Sequence, residues 1–172
     1  MPIYETRANR VLLLEFFLTF SRFEYALKAI GFFKKPDPEK YEPAKPPSAE
    51  PDWSTFHVSL RNIFQTNRTK PLKHACEYLL DNPPWKQVLS KNADWKVAWE
   101  TPARPENETE VEFLLRMVSY VRNNLFHGGK HGIEVHEDTG RTEALLRNSL
   151  IVLEECLVLV PQLRQAFDEA AI

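Results

Sequence analysis

An arginine and a histidine near the end of a long apolar segment are the residues of this sequence best suited to do chemistry. Arg122 and His127 lie in the stretch VSYVRNNLFHGGK, which runs from Val118 to Lys130. A guanidinium binds a phosphate through two parallel hydrogen bonds and offsets the negative charge that develops as the phosphate reacts. An imidazole has a pKa near neutrality, so it moves protons to and from the attacking and leaving oxygens. The pair is suited to cleaving RNA, whose own 2′-hydroxyl is the nucleophile, so no metal ion or other cofactor is required.

Other polar residues are candidates to support this chemistry. Asn123 and Asn124 directly follow the arginine and could orient the imidazole or bind phosphate. Lys130 and Arg141 are nearby cations that could hold the RNA backbone. Arg22, far earlier in the chain, is a further candidate for RNA binding, and it and Glu24 would frame the site from the first helical segment.

The spacing of the pair restricts how its two members can meet. On an ideal helix Arg122 and His127 point about 140° apart. They therefore converge only if the last turn unwinds or if a second copy of the chain brings its own pair across. Gly128 and Gly129 follow at once and are predicted to end the helix with a left-handed cap. Arg122 also falls on an apolar seam where a leucine is expected, which favours a cleft or a subunit interface.

Three long amphipathic helices are predicted to position these residues, because apolar side chains recur at spacings of three and four. The middle of the first helix is apolar on nearly all sides, so it is expected to be covered on more than one side, for example by a second subunit. The predicted helices are Tyr4 to Gly31, Glu106 to His127 and Arg141 to Val160.

Single residues mark the expected ends of these helices. Gly31 is predicted to end the first helix. Asn107 or Thr109 is predicted to cap the second, and Pro161 to kink or end the third.

The segments between the long helices are less regular. Residues 34–52 contain six prolines and are predicted to form an extended, exposed linker within one domain. Trp53 to Thr66 and Lys70 to Asp81 are predicted to be shorter helices, and Trp85 to Thr101 to form short helical turns. Ile133 and Val135, followed by a turn-like Asp-Thr-Gly, indicate a small hairpin or an ordered loop.

Bulk properties limit the function classes. The chain has 172 residues and a formal net charge of −2, which excludes a globally basic nucleic-acid binder, so RNA contact must use a local patch. Cys76 and Cys156 are too few for a disulfide framework and are expected to be reduced thiols. The apolar run near the N-terminus contains Glu15 and is too short to span a bilayer. The expectation is a cytoplasmic all-α protein, an up-and-down helical bundle that forms a single domain over residues 1–172.

Two segments resemble a known superfamily. RNNLFHGGK, from Arg122 to Lys130, resembles the signature of the HEPN superfamily, an arginine and a histidine separated by four to six residues at a helix end. Asparagine, aspartate or histidine often follows the arginine in that family, as Asn123 does here. FSRFEYALKAIGF, from Phe20 to Phe32, is similar to the opening helix of bacterial HEPN-like proteins, including small plasmid-borne ones. Residues 34–106 carry no part of the resemblance, and their proline-rich insert departs from the compact versions of the fold.

The resemblance implies a bundle that dimerises so that two arginine–histidine pairs face each other. It also implies metal-independent endoribonuclease activity that leaves a 2′,3′-cyclic phosphate and a 5′-hydroxyl. Members of the family often act as toxins or as abortive-infection and host-defence effectors. Arg122 and His127 are the positions to which the catalytic roles transfer.

Several alternatives remain open from the sequence. Some HEPN proteins are catalytically silent, and such a dimer would serve as a binding module for a partner such as a nucleotidyltransferase-type antitoxin. Arg122 would have a purely structural role if it paired with a carboxylate. A second arginine–histidine pair, Arg68 and His74, is interrupted by Pro71 and ends no long helix. The loop with His127, His131, Glu134, His136, Glu137 and Asp138 contains metal-ligating residue types, but a solvated loop is the favoured interpretation.

Overall fold

The computed structural model of the chain describes residues 9–39, 46–90, 96–126 and 139–170, and this part is mostly helical, as predicted. No helix within these ranges combines the length and apolar character needed to cross a membrane. The helices are α1 (Arg10–Ala29), α2 (Trp53–Leu60), α3 (Lys70–Asp81), α4 (Glu110–Phe126), α5 (Thr139–Leu159) and α6 (Pro161–Glu169), and the strands are β1 (Lys86–Leu89) and β2 (Val97–Glu100).

The two ends of α1 have clear local causes. The Asn9 side chain accepts hydrogen bonds from the backbone amides of Val11 and Leu12 and so caps α1, which begins at Arg10. The predicted start at Tyr4 lies outside the described residues. Gly31, with φ of 99°, ends the helix as predicted. The Gly31 amide donates to the Lys28 carbonyl, and the Phe32 amide donates to the Leu27 carbonyl. These two hydrogen bonds form a Schellman cap.

The proline-rich segment returns to the end of α1. An antiparallel bridge joins Phe33 to Pro51. The Asp52 amide donates to the Phe32 carbonyl at 3.0 Å, and the Lys34 amide donates to Glu50 at 2.9 Å. The described residues 34–39 and 46–50 are exposed, as predicted. These backbone hydrogen bonds close the base of the proline-rich loop. They place the start of α2 beside α1.

Between α2 and α4 the prediction is partly wrong. Helix α3 has the predicted bounds, but α2 ends at Leu60 instead of Thr66. The helical turns predicted between Trp85 and Thr101 are an antiparallel pair of strands, β1 and β2. Valine and tryptophan favour strands, and short apolar runs carry no helical periodicity that would distinguish the two structures.

The later helices begin and end at identifiable residues. Thr109 lies at the N-cap of α4, and its amide and hydroxyl both donate to the Glu112 carboxylate, at 2.9 and 2.6 Å; the hydrogen bond from the amide is one half of a capping box. The helix therefore begins at Glu110, later than predicted, and Asn107 is not its cap. Helix α5 begins at Thr139, so the glycine of the predicted Asp-Thr-Gly turn lies in its first turn. Pro161 ends α5 and begins α6, a helix that the sequence analysis did not predict.

Helix α5 is central to the packing, since it contacts α1, α3, α4 and α6. Most aromatic side chains of α1 and α2 are core residues, and Phe16, Phe23 and Phe56 are fully buried. Cys76 and Cys156 are both free and buried. Burial raises the pKa of the Cys76 thiol to about 12, which keeps it protonated and unreactive.

A buried carboxylate accounts for Arg68, the arginine of the second arginine–histidine pair. Glu155 of α5 is only 5% exposed, and both its oxygens accept hydrogen bonds from the Arg68 guanidinium. Because a buried charge needs a partner, Arg68 has a structural role.

His57 of α2 is a neutral histidine at an aromatic contact. Its ring lies 5.7 Å from the Trp53 ring, and its Nε2 atom is buried without a hydrogen-bond partner among the described residues. Burial is the main cause that lowers its pKa to about 4, while Glu112 and Glu108 act in the opposite direction.

Acidification should therefore destabilise the fold through His57. The unfolded chain binds a proton near pH 6.5, whereas the folded chain does so only near the lowered pKa, so this contribution is complete above pH 6.5 and is lost as pH falls toward 4. Between pH 7 and 5 we expect a loss of about 1–2 kcal/mol in the free energy of unfolding. Carboxylates such as Glu112, whose pKa is lowered to about 2, contribute mainly at more acidic pH. Urea unfolding at both pH values checks this, and an equal loss in wild type and His57→Gln would contradict it.

Candidate nucleic-acid interface at the end of α4

Arg122 lies in the last described turn of α4, partly covered by aromatic rings. Its side chain is 33% exposed. The guanidinium carbon lies 5.7 Å from the centre of the Phe20 ring of α1 and 5.2 Å from that of Phe126. Aromatic faces attract a guanidinium and cover it without consuming its hydrogen-bond donors. The charge on the apolar seam is therefore accommodated at the surface of the fold.

Two polar groups complete the described surroundings of Arg122. Its Nη1 donates to the Asn123 side-chain oxygen at 3.0 Å. Its Nη2 lies 3.8 Å from Oε2 of Glu24 on α1, which is too long for a hydrogen bond. Glu24 in turn accepts a hydrogen bond of 3.1 Å from the indole Nε1 of Trp53. A purely structural role for Arg122 also requires a nearby carboxylate. The contact with Glu24 therefore does not distinguish a structural arginine from a catalytic one.

The other half of the predicted catalytic pair lies outside the described residues. Helix α4 is described as far as Phe126, so the positions of His127, Lys130 and the two glycines stay predictions. The same holds for the hairpin or loop expected around Ile133 and Val135, and for the loop considered as a metal site. Within the described ranges, no group of three or more histidine, cysteine, aspartate or glutamate side chains is arranged to hold a metal ion.

Asn124 and Arg141 both contact the entry of the β1–β2 hairpin. The side-chain amide nitrogen of Asn124, Nδ2, donates to the backbone carbonyl of Trp85 at 2.8 Å. The Arg141 guanidinium donates to the Pro83 carbonyl at 3.0 Å and lies 5.2 Å from the Trp85 ring. These two residues therefore attach the hairpin to the end of α4 and the start of α5.

Arg22 contacts the C-terminal helix α6. Its Nη2 donates to the Phe167 carbonyl at 2.7 Å, and its guanidinium lies 4.1 Å from the Phe167 ring. These contacts join α1 to α6, and no described contact links Arg22 with Arg122.

Phe20 and Trp53 were not predicted as site residues, and Glu24 was predicted only as a residue that frames the site together with Arg22. Phe20 and Glu24 lie four positions apart on α1, so they share a helix face beside Arg122. That spacing is a signal that could have identified them. Trp53 has no comparable signal, because it meets α1 through tertiary packing and the closure of the proline-rich loop.

An apolar groove opens beside the aromatic rings that cover Arg122. It has a volume of about 250 Å³. The rings of Phe17 and Phe126, 5.1 Å apart, form part of its wall. The lining residues are Arg10, Leu13, Leu14, Phe17, Leu125 and Phe126.

The groove continues into an exposed apolar stripe on α1. Leu14 is 56% exposed, and Val11, Leu18 and Tyr25 are exposed as well. Positions 11, 14, 18 and 25 recur at helical spacing and therefore share one side of α1. The sequence predicts that α1 is covered on more than one side. Within the described part of a single chain, this side of α1 is exposed.

Protein-family models, curated proteins and solved structures were compared with this chain, and none of them matches.

The role of Asn124 at the hairpin can be tested separately from any catalytic role. Asn124→Ala removes the hydrogen bond to Trp85, so we expect a loss of about 1 kcal/mol in the free energy of unfolding. The amides of β1 and β2 should exchange with deuterium faster than in wild type. Asn123→Ala is the matched control, since its described contact is with Arg122, and it should leave hairpin exchange unchanged. Equal exchange in both variants would contradict the assignment.

Proposed function

We propose that this protein is a metal-independent endoribonuclease with a helical bundle of HEPN type, and that it acts as a toxin or defence effector. The observation that carries the proposal is the partly exposed guanidinium of Arg122, which rests on aromatic rings at the end of α4. The resemblance of RNNLFHGGK to the HEPN signature supports it, because the same arginine opens that motif.

The proposed reaction uses the RNA's own 2′-hydroxyl. Arg122 binds the scissile phosphate and offsets its developing charge. His127 moves the proton from the 2′-hydroxyl or to the departing 5′-oxygen. The 2′-oxygen forms a new bond to phosphorus while the bond from phosphorus to the 5′-oxygen breaks. The products are a 2′,3′-cyclic phosphate and a 5′-hydroxyl.

A second copy of the chain is part of this proposal. The groove and the apolar stripe of α1 reach Leu125 and Phe126, the residues that precede His127. Exposed apolar patches of this kind mark interaction sites. A two-fold pairing over this surface would place two α4 ends close together, which answers the difficulty that Arg122 and His127 diverge on one ideal helix.

A catalytically silent dimer is the second candidate function. The observation in its favour is the Glu24 carboxylate near Arg122, which gives the arginine a charge partner without RNA. Such a dimer would serve as a binding or assembly module for a partner such as a nucleotidyltransferase-type antitoxin.

The catalytic pair is tested by RNA cleavage in EDTA. Purified wild type should cleave RNA to 2′,3′-cyclic phosphate ends, identified by mass spectrometry. Arg122→Ala and His127→Ala should each reduce the rate by at least about 100-fold, the scale of a lost proton-transfer or charge-stabilising group.

Exposed residues of the same types supply the controls. Arg147→Ala and His74→Ala remove an arginine and a histidine from exposed helix positions and should cleave at the wild-type rate. Intact RNA with every protein would favour the silent module.

The proposed dimer is tested at Leu14. Leu14→Lys places a charge on the exposed stripe, so the protein should sediment as a monomer in analytical ultracentrifugation and cleave RNA at least about tenfold more slowly. Val58→Lys, at an exposed apolar position on α2, is the matched control and should remain dimeric. A monomeric Leu14→Lys protein with full activity would contradict a site shared between two copies.

A further inference from the structure

The ion pair between Arg122 and Glu24 differs from the other partly buried arginine–glutamate pairs of this protein. Nη2 and Oε2 are 3.8 Å apart, although the Glu24 side chain is only 23% exposed. In three other pairs of the described chain, both carboxylate oxygens accept hydrogen bonds from one guanidinium. These are Arg61–Glu112, Arg116–Glu108 and Arg68–Glu155.

Trp53 accounts for this looser geometry. Its indole Nε1 donates to Oε1 of Glu24 at 3.1 Å, so that oxygen is engaged away from Arg122. In the orientation that this hydrogen bond fixes, Oε2 of Glu24 lies 3.8 Å from Nη2 of Arg122, and the two-bond geometry is not formed. The pair Arg104–Glu110 is also separated by 3.8 Å, but both of its side chains are more than 40% exposed and water competes for them.

Aromatic packing fixes Trp53 in this position. Its ring stacks on Phe23 at 5.5 Å with an interplanar angle of 3°. It also stacks at 5.3 Å on Phe20, one of the two rings that cover Arg122. Asp52 caps α2 directly before Trp53, and its amide closes the base of the proline-rich loop. The loop thus places the tryptophan that restrains Glu24.

We infer that Trp53 is a positioning residue that holds the Glu24 carboxylate back from Arg122 and so keeps the guanidinium accessible to a phosphate. The inference rests on the proposed function for its ligand class, the phosphodiester of RNA. In the absence of RNA, the negative charge of Glu24 lowers the free-energy cost of holding Arg122 without a hydrogen-bonded charge partner. A phosphate oxygen then displaces a carboxylate 3.8 Å away, without breaking a close two-bond pair.

Opposite effects of two substitutions test this arrangement. In Trp53→Phe the released carboxylate should close on Arg122, so binding of a short 2′-O-methyl oligoribonucleotide, which cannot be cleaved, should weaken about tenfold, the scale of one charge-assisted hydrogen bond. Glu24→Gln removes the competing charge and should tighten binding about threefold, on the same scale. The double variant should bind as tightly as Glu24→Gln, because the tryptophan then has no carboxylate to restrain.

The controls separate restraint from packing. The single Trp53→Phe variant and the double variant share the same aromatic change, so any loss of packing is common to both. Trp99→Phe and Glu154→Gln make the same chemical changes in the hairpin and in an exposed ion pair, and should leave binding unchanged. If Trp53→Phe weakens binding equally with and without Glu24, the inference is overturned.

A second readout does not depend on RNA. The side-chain NMR signal of the Arg122 Nε–H should shift in Trp53→Phe, with slower rotation of the guanidinium, and should not do so in the double variant. An unchanged signal in Trp53→Phe overturns the restraint even if the protein cleaves RNA. If wild type neither binds nor cleaves RNA while the signal changes as expected, the proposed function fails and the restraint of Glu24 by Trp53 stands.

Discussion

The charge of Arg122 is the constraint on which the arrangement at the end of α4 depends. A guanidinium on the apolar seam of a helix cannot be buried alone without a large desolvation cost. The fold meets this constraint with two aromatic rings, one neighbouring amide and a carboxylate held at 3.8 Å. The arginine thereby stays at the surface. Glu24 offsets its charge but does not accept two parallel hydrogen bonds from the guanidinium.

This arrangement connects distant parts of the chain. Phe20 and Glu24 come from α1, and Trp53 comes from the start of α2. The proline-rich loop between these helices closes through backbone hydrogen bonds at its base, so its ends are fixed although its described residues are exposed. The segment that the sequence predicts to be an exposed linker therefore helps to place Trp53, whose indole hydrogen-bonds Glu24 beside Arg122.

Local signals in the sequence were sufficient for much of the fold. Apolar spacing predicted α3 and the body of α1, α4 and α5, and Gly31 ended α1, because these features depend on neighbours within one or two turns. The hairpin was missed because its short runs of valine and tryptophan carry no period long enough to distinguish strand from helix. At the site, the sequence identified Arg122, but Glu24 and Trp53 meet across 29 positions. That contact depends on tertiary packing, which spacing does not encode.

The most direct test of an RNA-cutting site at the end of α4 is a crystal structure of the protein with an oligoribonucleotide whose 2′-hydroxyls are methylated. We expect a phosphate oxygen about 2.8 Å from an Arg122 guanidinium nitrogen, Glu24 displaced from the arginine, and His127 of a second copy facing the same phosphate. An oligonucleotide bound elsewhere, with Arg122 still beside Glu24 in a monomer, would contradict the account.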